Sequence, residues 1–233
     1  MGLFALSDLH LGDGLNKPMD KFSEEWTNHS DKIHANWNET VSDNDTVLVP
    51  GDISWAINMD EAERDMEFLK SLNGRKIFLR GNHDYWWSSV SKLNSMYSKY
   101  NMHFLQNDCF MLGDMKTAVC GSRLWKNDSC LAEDKKIYDR EIMRSRLSLE
   151  AAIRKKCESI IFMSHYPPLL SDGMETGAQK LLEEYPVKLA VYGHLHGQKN
   201  FNTGFKGIKN GIKYMLVSAD FVGFRPVEIF REE

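Results

Sequence analysis

The stretch Gly81-Asn82-His83-Asp84 sets an amide oxygen, an imidazole and a carboxylate in three consecutive positions, just past the apolar run Lys76-Ile77-Phe78-Leu79. Asn and Asp ahead of a helix are ordinary capping residues, so this cluster alone indicates little. Four further apolar runs end the same way, in Asp8/His10, Asp52, His165 and His194/His196. Asp8 and His10 are two residues apart, and in an extended segment such side chains point the same way. Five of the eight histidines fall in these tips, a clustering that argues for a shared role. Carboxylate and amide oxygens mixed with imidazole nitrogens suit borderline divalent ions such as Mn²⁺, Fe or Zn²⁺ better than an all-oxygen Mg²⁺ or Ca²⁺ cage. The set exceeds the needs of one ion, and two ions sharing a carboxylate would use it.

The runs that carry these tips read as buried strands over residues 3–6, 45–49, 76–79, 159–163 and 187–192. Between them, apolar residues at helical spacing predict amphipathic helices over 18–40, with Phe22, Trp26, Ile33 and Trp37, and over 59–72, with Met59, Ala62, Met66 and Leu69. Shorter helices are predicted at 88–97 and 175–184. This alternation predicts an α/β fold, in which ligands bind at the carboxyl ends of the strands. Residues 103–120 predict two or three more strands with a turn near Gly113-Asp114. Asn210-Gly211 within 206–217 predicts a hairpin, and with the run 227–230 it should add antiparallel edge strands. Residues 123–158 break the rhythm. A polar irregular stretch over 126–134 precedes a charged helical one over 135–156, carrying Tyr138, Ile142, Leu149 and Ile153, and the expectation is a solvated face rather than a substrate lid. No repeat or linker divides the chain, so a single domain over 1–233 is expected.

The chain has 233 residues, 42% hydrophobic and 27% charged, which are the proportions of a soluble globular protein. A net charge of −4 argues against binding duplex nucleic acid, whose affinity comes mainly from phosphate neutralisation by Lys and Arg. The four cysteines lack C-x-x-C spacing and suggest reduced thiols. No stretch has the length of a membrane span, and the start lacks a signal-peptide pattern. Met1-Gly2 is followed by Leu6 where myristoylation wants Ser or Thr. A cytoplasmic location with no membrane partner is therefore expected.

In the order Asp8-x-His10, Gly51-Asp52, Gly81-Asn82-His83-Asp84, His165 and Gly193-His194-Leu195-His196, the sequence resembles the calcineurin-like metallophosphoesterase superfamily. The resemblance spans positions 8 to 196 and implies a four-layer α-β-β-α sandwich with two mixed sheets and a dinuclear metal site. Carried over by motif, it implies Asp8, His10 and His196 at one ion, Asn82, His165 and His194 at the other, and Asp52 bridging. The reaction implied is hydrolysis of a phosphomonoester or phosphodiester by a hydroxide bridging two divalent ions (Mn, Fe or Zn). His83 would be the general acid, with Asp84 orienting it, and Arg80 either a phosphate contact or a surface ion pair. The family's protein phosphatases carry Asp-Arg-Gly after the Gly-Asp motif. Here Gly51-Asp52 runs into Ile53-Ser54-Trp55-Ala56, which argues against a phosphoprotein substrate and for a small phosphorylated one, nucleotides among the candidates.

A second enzymatic reading is cleavage of a pyrophosphate bond in a nucleotide conjugate. A third, from another class, is a non-catalytic scaffold, since some members of the superfamily have lost ligands. The presence of Asp52, Asn82 and His83 argues against that one. Trp55, Trp86, Trp87, Trp125 and Tyr166 lie near the motifs, and core packing is the expectation for most of them over an aromatic wall that stacks a base.

Overall fold

Gly2–Ala5 (β1), Thr46–Val49 (β2) and Arg75–Leu79 (β3) bury nearly every side chain, as continuous apolar runs do in parallel strands covered on both faces. They pair in parallel, β1 with β2 and β2 with β3. Met102–Leu105 (β4) lies beyond β3, and Val227–Arg231 (β11) runs antiparallel to β1 on the opposite edge, giving the order β11-β1-β2-β3-β4. The computed structural model describes residues 1–12, 14–15, 17–113, 116–126 and 130–231. Asp114 of the expected turn, and residues 127–129 of the polar stretch, lie outside the described residues. The chain forms two compact units, Met1–Phe104 with Val217–Glu233, and Leu105–Leu216.

In the first unit the helices are His29–Thr40 (α1), Met59–Ser71 (α2) and Val90–Tyr97 (α3). The Asn58 side chain caps α2 by accepting from the Glu61 N–H at 2.9 Å, and Ala62, Met66 and Leu69 form its buried stripe as the spacing predicts. The helix expected over 18–40 is only half formed. Met19–Lys21 and Glu24–Trp26 are single 3₁₀ turns, and α1 begins after Asn28, whose φ of 52° no α-helix accommodates. Ser23 contributes to the break by accepting from the Glu25 N–H, a local bond that competes with helix continuation. Phe22, counted in the helical stripe, is 73% exposed.

Lys76 in β3 is 2% exposed, and its Nζ donates to the Leu72 carbonyl. Burial pulls its pKa down to about 8, against a smaller upward pull from Asp43. Below pH 8 the folded protein therefore carries a buried ammonium, at a cost of roughly 2–4 kcal/mol. Between pH 8 and the ordinary lysine value the unfolded chain binds the extra proton, so stability rises with pH across that window. Lys76→Met is expected to raise the melting temperature at pH 7, with a gain that shrinks as pH climbs from 8 towards 10.5. Thermal scans of both proteins across that range check it, and a gain that grows with pH would refute it.

The second unit holds Cys109–Met111 (β5), Thr117–Ser122 (β6), Ser159–Ser164 (β7), Val187–Tyr192 (β8), Gly207–Lys209 (β9) and Ile212–Leu216 (β10), in the order β5-β6-β7-β8-β10-β9. Asn210 and Gly211 both take positive φ, 50° and 80°, the turn that suits a two-residue hairpin, and β9 and β10 pair across it. The expectation of antiparallel edges holds for β9 and β11. β10, however, lies inside the sheet, parallel to β8. The two mixed α/β sheets, of five and six strands, match the expected fold class. No helix among the described residues is long and apolar enough to cross a membrane.

The helices here are Ala132–Arg154 (α4), Gly177–Glu183 (α5) and Gly197–Asn200 (α6). The charged helix α4 is more than a solvated face. It lies on β6 through a polar seam, in which the Ser148 hydroxyl donates to the Gly121 carbonyl at 2.8 Å and the Ser145 and Ser122 hydroxyls meet at 2.7 Å. Glu141, 1% exposed, sits in this seam 2.8 Å from Arg144. Ile153 faces solvent instead of joining Leu149 inside. The four cysteines are free thiols.

Candidate active site

In the first unit, the segments after β1 and β2 keep running side by side beyond the strands. Asp8 N–H donates to Gly51 O, His10 N–H to Asp52 O and Leu11 N–H to Ile53 O, all within 3.0 Å. Asp8 and His10 are not extended, contrary to the reasoning from their two-residue spacing. Their φ values are 61° and 43°, and Asp52 has 50°. Left-handed backbone costs a non-glycine residue about 1–2 kcal/mol and persists where the surroundings fix it, often at functional sites. The turns bring a carboxylate oxygen of Asp8 within 4.8 Å of ligand atoms of both His10 and Asp52. All three residues are buried. Carboxylates at such depth are costly unless a cation or donors compensate them.

The segment after β3 closes on the same loops. Asp52 Oδ1 accepts from the His83 N–H at 2.8 Å, and Oδ2 lies 3.8 Å from His10 Nε2. Gly81 makes this approach possible, since a Cβ there would fall 2.1 Å from Asp52 Oδ1 and 2.2 Å from Asp52 N. Asn82 and His83 are half-buried. Asp84 is fully buried, with Oδ1 accepting from the Ile53 and Ser54 N–H groups and the Trp86 indole, and Oδ2 from Gly81 N–H. Burial and then the Asp52 carboxylate push its pKa up, opposed by the three backbone donors. Its carboxylate thus ties together the turns that carry Asp52 and His83, and makes no hydrogen bond to the His83 ring. Arg80 is exposed, and its Nε donates to the Asp84 carbonyl at 3.2 Å.

Three residues around this cluster have roles that the sequence does not reveal. Trp55 is stacked on His10 (ring centres 4.9 Å, 22° between planes), with the His83 ring 4.4 Å from its own. His29 is buried with its ring nitrogens 3.2 Å from Trp26 O and 3.1 Å from His10 O, bracing the His10 turn. Gly81 matters through the missing Cβ. The sequence singles out Trp55 only by its nearness to a motif and Gly81 only as part of one, and His29 not at all. Trp86 and Trp87 lie in the core, as expected for most of that aromatic set.

In the second unit, His165 follows β7 and His194 and His196 follow β8. Arg123 O accepts from the N–H groups of His165 and Tyr166, and His165 O from Gly193 N–H. His165 is fully buried, and its Nε2 lies 3.2 Å from His194 Nδ1. Two ligand atoms each about 2.0–2.1 Å from one ion stand about this far apart. His194 also has a left-handed φ of 72°. His196 precedes α6, and its carbonyl accepts from Asn200 Nδ2 at 2.9 Å. The donor chemistry, the strained backbone and the facing imidazole nitrogens together fit divalent metal.

Strand-end Asp, Asn and His donors on mixed α/β sheets are the kind of set that can hold divalent metal. The model of the calcineurin-like phosphoesterase family matches residues 1–198, and the chain belongs to that family. Its curated relatives include the uncharacterized protein MJ1445 of Methanocaldococcus jannaschii, 31% identical over 87 residues. That match takes in 35% of this chain and 46% of the relative, so the chain spans about half of that protein's length. Among solved structures, the phosphopantetheinyl hydrolase PptH of Mycobacterium tuberculosis is similar in fold, with a TM-score of 0.53, 15% identity and coverage of 99% of this chain and 96% of that one. A protein of unknown function from Aquifex aeolicus, AQ665, aligns over 97% and 95% of the two chains at 16% identity and a TM-score of 0.49.

Proposed function

We propose that the chain is a dinuclear metal-dependent phosphohydrolase acting on a small phosphomonoester or phosphodiester, and that both units serve one catalytic domain. The observation that carries this reading is the placement of Asp52, with one carboxylate oxygen bonded to the backbone of His83 and the other near His10. A carboxylate so fixed beside a candidate ligand and a candidate acid is suited to bridging two ions next to a proton donor. Asp8, His10 and His196 would hold one ion and Asn82, His165 and His194 the other. When bound, two such ions supply Lewis-acid stabilisation of the phosphoryl group and a water of lowered pKa as nucleophile.

The chain's own residues do the rest. His83, as imidazolium, donates a proton to the departing alkoxide. Asp84 acts as a positioning residue, because its bonds hold the Asp52 and His83 turns together. Arg80, aimed by the Asp84 carbonyl, supplies a phosphate contact. Small organic phosphoesters are the first substrates to try, in agreement with the name of the mycobacterial neighbour. Free thiols fit a cytoplasmic setting.

The test is metal-stripped protein titrated with Mn²⁺, Zn²⁺ or Fe²⁺ while hydrolysis of p-nitrophenyl phosphate and bis-p-nitrophenyl phosphate is followed. Activity should appear as the metal content approaches two ions per chain, and the ratio of the two rates separates monoesterase from diesterase. Hydrolysis that survives complete stripping, or full loading without turnover of any ester in a broader panel, would overturn the reading.

A further inference from the structure

We propose that a cavity in the second unit beside His194 binds the organic part of the substrate, and that this part is a flat aromatic group. The inference rests on the phosphohydrolase reading, and it names the class of substrate. The cavity measures about 630 Å³, within the range of small-molecule sites. Trp125, Tyr166, Leu170 and Leu195 furnish its apolar wall, and Asn200 and Thr203 lie on its polar side. Its wall adjoins the candidate metal ligand directly, since the Tyr166 ring centre is 3.8 Å from that of His194. An ester held by its phosphate near His194 would have its substituent against this wall.

Three observations make the wall a built surface. The Trp125 indole N–H donates to Asp134 Oδ1 at 2.7 Å. The Arg123 guanidinium lies 4.6 Å from the Trp125 ring centre, and Arg123 is itself 3.8 Å from the buried Glu141. The Tyr166 ring lies 4.9 Å from that of Trp125. Between Arg123 and Trp125, Leu124 is buried with a φ of 56°, a conformation unfavourable for a leucine, and one that the surroundings must impose. None of these contacts is needed to hold metal or to move a proton. An aromatic wall whose side chains are already fixed loses little conformational freedom on binding, and a flat ring gives it the greatest contact area. Asp134 and Glu141 belong to α4, so the charged helix contributes to specificity by fixing Trp125 from behind.

The experiment is calorimetric titration of Mn²⁺-loaded protein with the hydrolysis-resistant phosphonate analogues of matched pairs: adenosine 5′-monophosphate against ribose 5-phosphate, and phenyl phosphate against ethyl phosphate. Inorganic phosphate is the reference. At least one aromatic ligand should bind tenfold or more tightly than its counterpart, and Leu170→Trp, which places an indole in the cavity, should erase that excess. Trp125→Ala should reduce it too, and serves if the first variant does not fold. No aromatic preference in either pair, or a preference untouched by a folded variant, overturns the proposal. Hydrolysis without aromatic preference would sink this inference alone. Aromatic preference in a loaded protein that hydrolyses no ester would sink the phosphohydrolase reading and leave the binding site standing.

Discussion

Gly81→Ala is expected to abolish phosphoester hydrolysis as completely as Asp52→Asn, although it alters no candidate ligand. The added methyl would lie 2.1 Å from Asp52 Oδ1 and 2.2 Å from Asp52 N, far inside van der Waals contact. One of the two segments must move. Asp52 carries the His83 N–H bond and Gly81 the bond to Asp84 Oδ2, so displacement in either direction breaks the joint between the β2 and β3 turns. Forced overpacking typically costs about 1–3 kcal/mol, which for a chain of this size corresponds to a fall in melting temperature of roughly 2–12 °C. Metal analysis, calorimetry and assay of the same preparation check this, and a Gly81→Ala protein that keeps two ions and full activity would show that the close approach is dispensable.

His83→Ala is the complementary case. It should lower kcat about 10²–10⁴-fold, the usual contribution of a general acid, while leaving metal content and melting temperature close to those of the parent. The His83 contact to Asp52 comes from the backbone N–H, which alanine retains, so the Asp52 carboxylate keeps its partner. The ring's neighbour Trp55 stays stacked on His10. Loss of an ion in His83→Ala would move the residue from acid to ligand, and an unchanged kcat would remove it from the chemistry.

The strand tips were legible in the sequence because short apolar runs followed by Gly, Asp, Asn and His are local signals, and all five runs form strands. The 18–40 segment misled because a four- and seven-residue spacing of Phe22, Trp26, Ile33 and Trp37 is blind to the conformation at Asn28. The role of α4 was hidden for the opposite reason. Apart from Leu149, its buried face is serine, alanine and acidic side chains, which no hydrophobic period reveals, and its hydroxyls find partners only once β6 is alongside. Gly81 and Trp55 depend on which loops meet in space, and Asp8 and His10 on backbone angles that an extended reading cannot supply.

The first unit is discontinuous, drawing on both ends of the described chain. Ser7, next to candidate ligand Asp8, donates its N–H to Val217 O and accepts from Ala219 N–H, and β11 then covers the edge of β1. During synthesis Asp8 leaves the ribosome ahead of the segment that pins it, at a translation rate of about 5–20 residues per second. The segment that pins it emerges more than 200 residues later. A nascent chain therefore has all the candidate ligands before it has the brace for the first of them, and the β1 edge is open to stray partners until β11 arrives.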